Sequence, residues 1–71
     1  MYVVYGKPDC KYCEYAKAAL SGETFEYIDI TVNSEILRSL KKQGFKSVPQ
    51  IYYNGSHIGG YDNLLVHLEG E

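Results

Sequence analysis

Apolar and polar positions alternate along the chain with spacings that predict short strands and helices. Residues 1–5 are mostly β-branched or aromatic, which predicts a short buried strand. A loop over 6–9 follows, and Asp9 is a plausible N-cap for a helix over 10–20. The apolar side chains of this helix recur at helical spacing. The face that they form consists of Tyr12, Ala16, Ala19 and Leu20.

The middle of the chain predicts a second strand and a second helix. Residues 25–30 alternate with period two over part of their length, which is typical of a strand. Either Asn33 or Ser34 can cap a helix that runs to about residue 43, with Gly44 as its C-cap. The apolar stripe of this second helix consists of Ile36, Leu37 and Leu40.

The last third of the chain predicts a hairpin and a final helix. Residues 50–53 predict a third strand, and Asn54-Gly55 is a strong hairpin signal that leads into a fourth strand over 56–58. Gly59-Gly60 interrupts the chain, and Asp62 or Asn63 begins a helix that extends through residue 68.

The resulting element order is β-α-β-α-β-β-α, which belongs to the α/β class. The first two strands are joined by a helix, so they should be parallel with a right-handed crossover. The hairpin adds two antiparallel strands. We therefore expect a single domain over residues 1–71 with one four-stranded mixed sheet flanked by three helices.

Composition and charge exclude several classes of function. The chain has 71 residues, of which 45% are hydrophobic, and a net charge of −2, which argues against electrostatic binding of nucleic acid. No apolar run approaches the roughly 20 residues of a membrane span. The first residues lack the basic region and cleavage site of a secretory signal. We expect a cytoplasmic monomer with neither nucleic acid nor membrane as partner.

The two cysteines, Cys10 and Cys13, lie too close in sequence for an important structural role. A disulfide between them closes a loop that is too short to constrain the unfolded chain much. As zinc ligands they would supply two of four, and the ten-residue separation of His57 and His67 does not match the usual histidine pair. We therefore expect no metal site, and chemistry at the cysteines in a reducing compartment.

The predicted position of the cysteines favours thiol–disulfide exchange. Cys10 would lie at the N-terminus of the first helix, where unpaired N–H groups and the helix dipole stabilise a thiolate. Lys7 and Lys11 add positive charge nearby, and Cys13 lies about one turn further along. An attacking thiolate with a second, resolving thiol is what this exchange requires. The alternative is a chance pair of inert cysteines, but CxxC at a strand-to-helix junction is a specific signal.

Two further segments should lie near the cysteines. The third strand should run antiparallel beside the first, which brings Pro49 close to Cys10. A cis Val48–Pro49 bond would present the Val48 backbone to a peptide-like thiol substrate, although Pro49 could also be a simple turn residue. Gly59-Gly60 could likewise be only a tight turn, or it could open an anion site at a helix N-terminus.

The residues after that glycine pair suit an α-amino acid head group. Backbone N–H groups of Asp62 and Asn63 could bind its carboxylate, and the Asp62 side chain could bind its amine.

Together these segments resemble compact glutaredoxins of the thioredoxin-fold superfamily, the type found in bacteria and bacteriophages. The resemblance covers nearly the whole chain. The tyrosine before the second cysteine and the lack of tryptophan favour glutaredoxin over thioredoxin proper. The residues that carry the resemblance are Lys7, Cys10-Lys11-Tyr12-Cys13, Ser47-Val48-Pro49 and Gly59-Gly60-Tyr61-Asp62-Asn63.

The resemblance implies a glutathione-dependent oxidoreductase with a thioredoxin fold. Its substrates would be protein disulfides and glutathione mixed disulfides, and ribonucleotide reductase is among the expected clients. Cys10 would be the nucleophile and Cys13 the resolving thiol. Glutathione, as co-substrate, would lie against Lys7, Tyr12, Val48, Pro49, Gly60, Tyr61, Asp62 and Asn63.

The resemblance also implies individual roles for four of these residues. Lys7 would bind the glycyl carboxylate of glutathione. Val48, beside a cis Pro49, would pair with its cysteinyl backbone. Asp62 and Asn63 would bind its γ-glutamyl head.

Departures from the family pattern leave two alternatives open. Asn63 stands where an aspartate is frequent, and the loss of one charge-assisted contact would favour thioredoxin reductase over glutathione as donor. Lys11 stands where many dithiol members have proline. A [2Fe–2S] carrier, with a cluster between two Cys10 thiolates and two glutathiones, therefore stays open. Ser47 in place of the commoner threonine is a mild change.

Most of the eight tyrosines should serve packing. Those on predicted strands are Tyr2, Tyr5, Tyr27, Tyr52 and Tyr53. Tyr12 and Tyr61 flank the predicted groove, and Tyr15 should lie on the helix surface or in packing. Lys41, Lys42 and Lys46 are expected to be solvated, with support of an anionic ligand as the alternative.

Overall fold

The computed structural model describes residues 1–45 and 47–70, and within them the elements follow the predicted order. The helices and strands are β1 (Tyr2–Gly6), α1 (Lys11–Ala19), β2 (Phe25–Asp29), α2 (Ser34–Lys42), β3 (Gln50–Tyr53), β4 (Ser56–Gly59) and α3 (Tyr61–Glu69). None of the helices in these ranges has the length and apolar character needed to cross a membrane.

The strands form one four-stranded mixed sheet in the order β2-β1-β3-β4 among the described residues. β1 runs parallel to β2, with Tyr2 opposite Phe25, and antiparallel to β3, with Tyr5 opposite Gln50. β3 and β4 form the antiparallel hairpin, with an irregularity between Ile51 and Tyr52. The predicted thioredoxin-like fold, with its parallel first pair and added hairpin, is confirmed.

The core lies between one face of this sheet and the helices α1 and α3, which also contact each other. Alternate side chains of β1 point into it, because successive residues of a strand face opposite sides. The buried cluster consists of Tyr2, Val4, Ala16, Leu20, Ile51 and Leu64. Since β1 is central in the sheet, burial of its side chains holds the strand that leads directly to the cysteines.

The helix α2 is associated with the other side chains of β1 and β3. Leu40 is its most buried residue, and Tyr52 donates a hydrogen bond from its hydroxyl to the Gln43 side chain over 3.3 Å. A cavity of about 250 Å³ lies between α2 and the rings of Tyr5 and Tyr52. Packing between α2 and the sheet is therefore incomplete at this point.

Two predicted helix starts are wrong by one or two residues. The N-cap of α1 is Cys10 and not Asp9, which has a left-handed φ of 57°. The helix α3 begins at Tyr61 and not at Asp62 or Asn63, because Gly60 takes the N-cap position. The Asn63 side chain accepts a hydrogen bond from the Gly60 N–H over 3.3 Å, which closes this first turn.

Other boundaries differ slightly from the expected ones. Asn33, one of the two predicted candidates, is the N-cap of α2. Its side-chain oxygen accepts a hydrogen bond from the Glu35 N–H over 2.8 Å. Gln43 takes the C-cap position that was expected for Gly44, and Gly44 follows with a φ of 90° that a glycine adopts without strain. Tyr12 is not on the buried face of α1, since 52% of it is exposed.

Gly59 should tolerate no side chain. Its φ is 129°, and an added Cβ would lie 2.6 Å from the Asn63 Oδ1 that caps α3. We expect Gly59→Ala to lower the free energy of unfolding by about 1–3 kcal/mol in denaturant titrations of the oxidised protein. Gly22→Ala is the matched control, because nothing lies within 4 Å of its Cβ position. Equal stability of the two variants would contradict this assignment.

Candidate functional site

Cys10 and Cys13 are joined in a disulfide at the start of α1, with their Cα atoms 5.2 Å apart. Cys10 is half-buried, whereas Cys13 is fully buried. The Cys13 backbone N–H donates to the Cys10 sulfur over 3.1 Å, so the sulfur itself caps the helix. One sulfur is thus accessible and the other is enclosed, as exchange between an attacking and a resolving thiol requires.

The charges around Cys10 favour its thiolate once the disulfide is reduced. The sulfur lies at the positive end of the α1 dipole and accepts a backbone N–H. Lys7 precedes Cys10 in sequence and Lys11 follows it, and both lysines are exposed. Asp9 is also exposed, where solvent screens its charge, and Glu14 is paired with Lys17 at 2.8 Å.

The segment before Cys10 is held by Tyr27 of the neighbouring strand. Its ring lies over Gly6, where an added Cβ would come within 2.7 Å of the ring carbon that bears the hydroxyl. The hydroxyl donates to the Lys7 carbonyl over 3.4 Å, and the Lys17 ammonium lies 4.4 Å from the ring centroid. Burial raises the pKa of the Tyr27 hydroxyl, with Lys17 acting in the opposite direction. The phenol therefore stays protonated and able to donate at neutral pH.

The Val48–Pro49 bond is cis, as expected. Because Tyr5 pairs with Gln50, Pro49 lies beside the end of β1, where the chain leaves for Cys10. A groove of about 330 Å³ opens at this point, and we call it the Pro49 groove. Its lining is Tyr12, Ser47, Val48, Pro49, Gly60, Tyr61, Asp62 and Asn63.

The Pro49 groove thus brings together all the expected glutathione residues except Lys7. Asp62 is exposed in the first turn of α3. The Oδ1 atom of Asn63 accepts the hydrogen bond from the Gly60 N–H. Tyr12 and Tyr61 flank the groove as predicted, with ring centroids 6.0 Å apart.

Tyr15 packs in the same aromatic cluster and is partly exposed, which agrees with the predicted place on the helix surface or in packing. Its ring centroid lies 5.7 Å from those of both Tyr12 and Tyr61. The three rings connect α1 to the N-terminus of α3, so they hold the two helix ends that border the Pro49 groove.

Lys7 lines a second, larger opening, which we call the α2 cleft. It has a volume of about 610 Å³ and shares Ser47 and Val48 with the Pro49 groove. The lining of the α2 cleft is Lys7, Ile30, Thr31, Leu37, Leu40, Lys41, Gly44, Phe45, Ser47 and Val48. Lys41 and Lys42 are both exposed, but Lys42 is not part of this lining; Lys46 lies outside the described residues.

Gln50 supports the site from outside the Pro49 groove, a role that its sequence position did not predict. Its side chain is buried, with 7% exposed, and its Nε2 donates to the Ser47 carbonyl over 2.8 Å. Its Oε1 lies 2.8 Å from Nε2 of His57, which therefore donates to it. The amide ties the loop before Pro49 to β4. A polar residue directly after that proline, at the start of an apolar strand, was the available signal.

The two histidines lie apart from the cysteines in the fold. His57 stacks on Phe45 at 4.6 Å, and His67 contacts the rings of Tyr2 and Tyr53 at 5.7 and 5.0 Å. Over residues 1–45 and 47–70, no three or more His, Cys, Asp or Glu side chains form a group that could hold a metal ion.

Solved structures of similar fold include several glutaredoxins. A wheat glutaredoxin aligns with a TM-score of 0.83 at 31% identity, over 97% of this chain and 71% of that one. A buckwheat glutaredoxin–glutathione complex aligns with a TM-score of 0.81 at 29% identity, over 97% and 69%. NrdH-redoxin from Escherichia coli, described as glutaredoxin-like with a thioredoxin-like activity profile, aligns at 0.81 and 25% identity, over 94% and 91%.

Sequence comparison points to the same family. Glutaredoxin 3 of Escherichia coli (strain K12) is 34% identical over 64 residues, which covers 86% of this chain and 77% of that protein. Glutaredoxin 1 of Rickettsia prowazekii (strain Madrid E) is 39% identical over 74 aligned residues, which covers 97% and 77%. The glutaredoxin family model matches residues 2–58. With its CxxC disulfide at the start of α1, the chain belongs to the glutaredoxin family of thiol–disulfide oxidoreductases.

Proposed function

We propose that this protein is a glutathione-dependent dithiol oxidoreductase of the reducing cytoplasm, acting as a monomer on protein disulfides and glutathione mixed disulfides. The observation that carries the proposal is the pairing of an accessible sulfur at the N-cap of α1 with a fully buried one. Ribonucleotide reductase is among the clients that the family resemblance implies.

The dithiol route balances without any further cofactor. The Cys10 thiolate attacks one sulfur of a client disulfide and forms a new S–S bond, while the other client sulfur leaves as a thiolate. The Cys13 thiolate then attacks the Cys10 sulfur, which releases the second client thiol and leaves the Cys10–Cys13 disulfide. Two electrons have passed from the protein to the client.

Glutathione would return the protein to its dithiol form in two exchanges. One glutathione thiolate attacks the Cys10 sulfur, which frees the Cys13 thiol and leaves glutathione bound to Cys10. A second glutathione thiolate attacks the glutathionyl sulfur, which releases glutathione disulfide and the Cys10 thiolate. The half-exposed position of Cys10 supports its role as the sulfur that the first glutathione attacks and that then carries the glutathionyl group.

The Pro49 groove supports glutathione as the donor. A tripeptide that pairs with the Val48 backbone would have its γ-glutamyl head beside Asp62 and Asn63, which line the same groove. Its glycyl carboxylate would point past Val48 towards Lys7, which lines the adjoining α2 cleft. The buckwheat neighbour is a complex with glutathione.

Thioredoxin reductase is the second candidate donor. The observation in its favour is the structural likeness to NrdH-redoxin, whose activity profile is thioredoxin-like. Asn63 also favours this donor, because an amide makes a weaker contact with the glutathione ammonium group than a carboxylate does. In addition, the Asn63 Oδ1 already accepts a hydrogen bond from the Gly60 N–H.

The two cysteines should have separable roles. We expect Cys10→Ser to abolish reduction of both protein disulfides and glutathione mixed disulfides, because it removes the attacking thiolate. Cys13→Ser should keep the glutathione mixed-disulfide activity and lose the dithiol route. Glutathione-coupled assays with each substrate measure both activities. Full turnover by Cys10→Ser would show that Cys10 is not the nucleophile.

Asp62 should contribute mainly to glutathione affinity. Asp62→Asn removes a charge-assisted contact with the γ-glutamyl ammonium, so we expect the KM for glutathione to rise about threefold to tenfold with a smaller change in kcat. Glu69→Gln, an exposed carboxylate at the other end of α3, is the charge-matched control. An unchanged KM in Asp62→Asn would remove Asp62 from the binding site.

Donor choice is decided by turnover with each reductant. We expect the oxidised protein to turn over with glutathione, glutathione reductase and NADPH, and to show no turnover with thioredoxin reductase and NADPH. The same disulfide substrate serves both assays, and the Cys10→Ser variant gives the background rate. Turnover with thioredoxin reductase and NADPH, together with no turnover with glutathione, would show that thioredoxin reductase is the donor.

A further inference from the structure

The α2 cleft has no role in the glutathione chemistry beyond the position of Lys7. Most of its lining is apolar, from Ile30, Leu37, Leu40, Phe45 and Val48. Glutathione carries glycine after its cysteine, so it has no side chain to place against this apolar surface. The cleft therefore offers contacts that a protein client can make and glutathione cannot.

We propose that the α2 cleft is a subsite for protein clients, which binds an apolar side chain and a neighbouring carboxylate that follow the reactive cysteine of the client. This inference rests on the proposed dithiol reduction and names the class of client that it favours. The occupant is an extended peptide segment of acidic and apolar character.

Continuity with the Pro49 groove is the first argument. Ser47 and Val48 line both openings, so a chain that pairs with the Val48 backbone passes from one into the other. The spacing between residues of an extended chain is about 3.3 Å. A residue close to the client cysteine therefore reaches the α2 cleft while the client sulfur reaches Cys10.

Charge is the second argument. Among its described lining residues the α2 cleft has two cations, Lys7 and Lys41, and no carboxylate, although the chain carries a net charge of −2. The adjacent Asp29 carboxylate accepts hydrogen bonds from the Thr31 hydroxyl at 2.6 Å and its N–H at 2.8 Å, which lower the pKa of Asp29. Asp29 is thus ionised but held by its own turn outside the lining, and the charged side chains that line the cleft among the described residues are the two lysines.

The test measures a single turnover, so it does not depend on the donor. The protein is reduced with dithiothreitol, freed of it, and mixed with symmetric peptide disulfides in which the two residues after the cysteine are varied. These two residues are Leu then Glu, Leu then Lys, or Ser then Ser. Rates with dithiothreitol alone correct for the intrinsic reactivity of each peptide. We expect the Leu–Glu peptide to be reduced about tenfold faster than the Ser–Ser peptide.

Charge reversal on α2 tests the electrostatic part. Lys41→Glu should lower the reduction rate of the Leu–Glu peptide about threefold to tenfold and raise that of the Leu–Lys peptide. The reason is that a glutamate at position 41 repels the peptide carboxylate and attracts the peptide ammonium group. Lys42→Glu is the matched control, since it makes the same change of net charge on the next residue, outside the cleft. Both lysines are exposed, and circular dichroism checks that the variants fold.

The outcomes separate the two proposals. Equal corrected rates for all three peptides would overturn the α2 cleft subsite and leave the dithiol function standing. Equal effects of Lys41→Glu and Lys42→Glu would also overturn it, since overall charge would then explain the rates. A dimer in sedimentation that Lys41→Glu dissociates would place a second copy in the cleft instead. Failure to reduce any peptide would overturn the proposed function itself.

Discussion

The hydrogen bond from the Cys13 N–H to the Cys10 sulfur is the interaction on which the site depends. It makes the reactive sulfur the N-cap of α1, so helix stability and sulfur chemistry share one geometry. A thiolate is a better acceptor than a neutral cap, and it meets the positive end of the helix dipole. The same turn encloses Cys13, so the resolving thiol is buried within reach of the Cys10 sulfur.

Everything else in the site is brought to this cap by the central position of β1. Burial of β1 side chains against α1 and α3 anchors the strand. Because β3 pairs antiparallel with β1, Pro49, the residue before β3, lies beside the C-terminal end of β1. Gln50 then ties the loop before Pro49 to His57 on β4. The N-terminus of α3 completes the Pro49 groove, held to α1 by three tyrosine rings.

The two faces of the sheet differ in how they are packed. The face covered by α1 and α3 supplies the core, whereas α2 leaves openings between itself and the sheet. A dense face gives the cysteines a rigid support, and an incompletely filled face leaves apolar surface for a ligand. The α2 cleft and the Pro49 groove meet at Val48, which allows one extended substrate to contact both.

Local sequence patterns were sufficient for the elements and for the cysteine chemistry. Period-two and helical spacings depend only on neighbouring residues, and the CxxC spacing places both sulfurs in one helical turn whatever surrounds them. The groove residues Val48, Pro49 and Asp62 were predicted from the expected topology and again from the family resemblance, and the structure brings them together.

What only the tertiary structure decided depends on contacts between distant parts of the chain. The cap moved from Asp9 to Cys10, and α3 began before Asp62, because backbone angles at the helix ends are set by the loops that enter them. The bridging role of Gln50 requires the β3–β4 hairpin to be in place. The α2 cleft exists because helix, sheet and loop meet without filling the space between them, which no local pattern encodes.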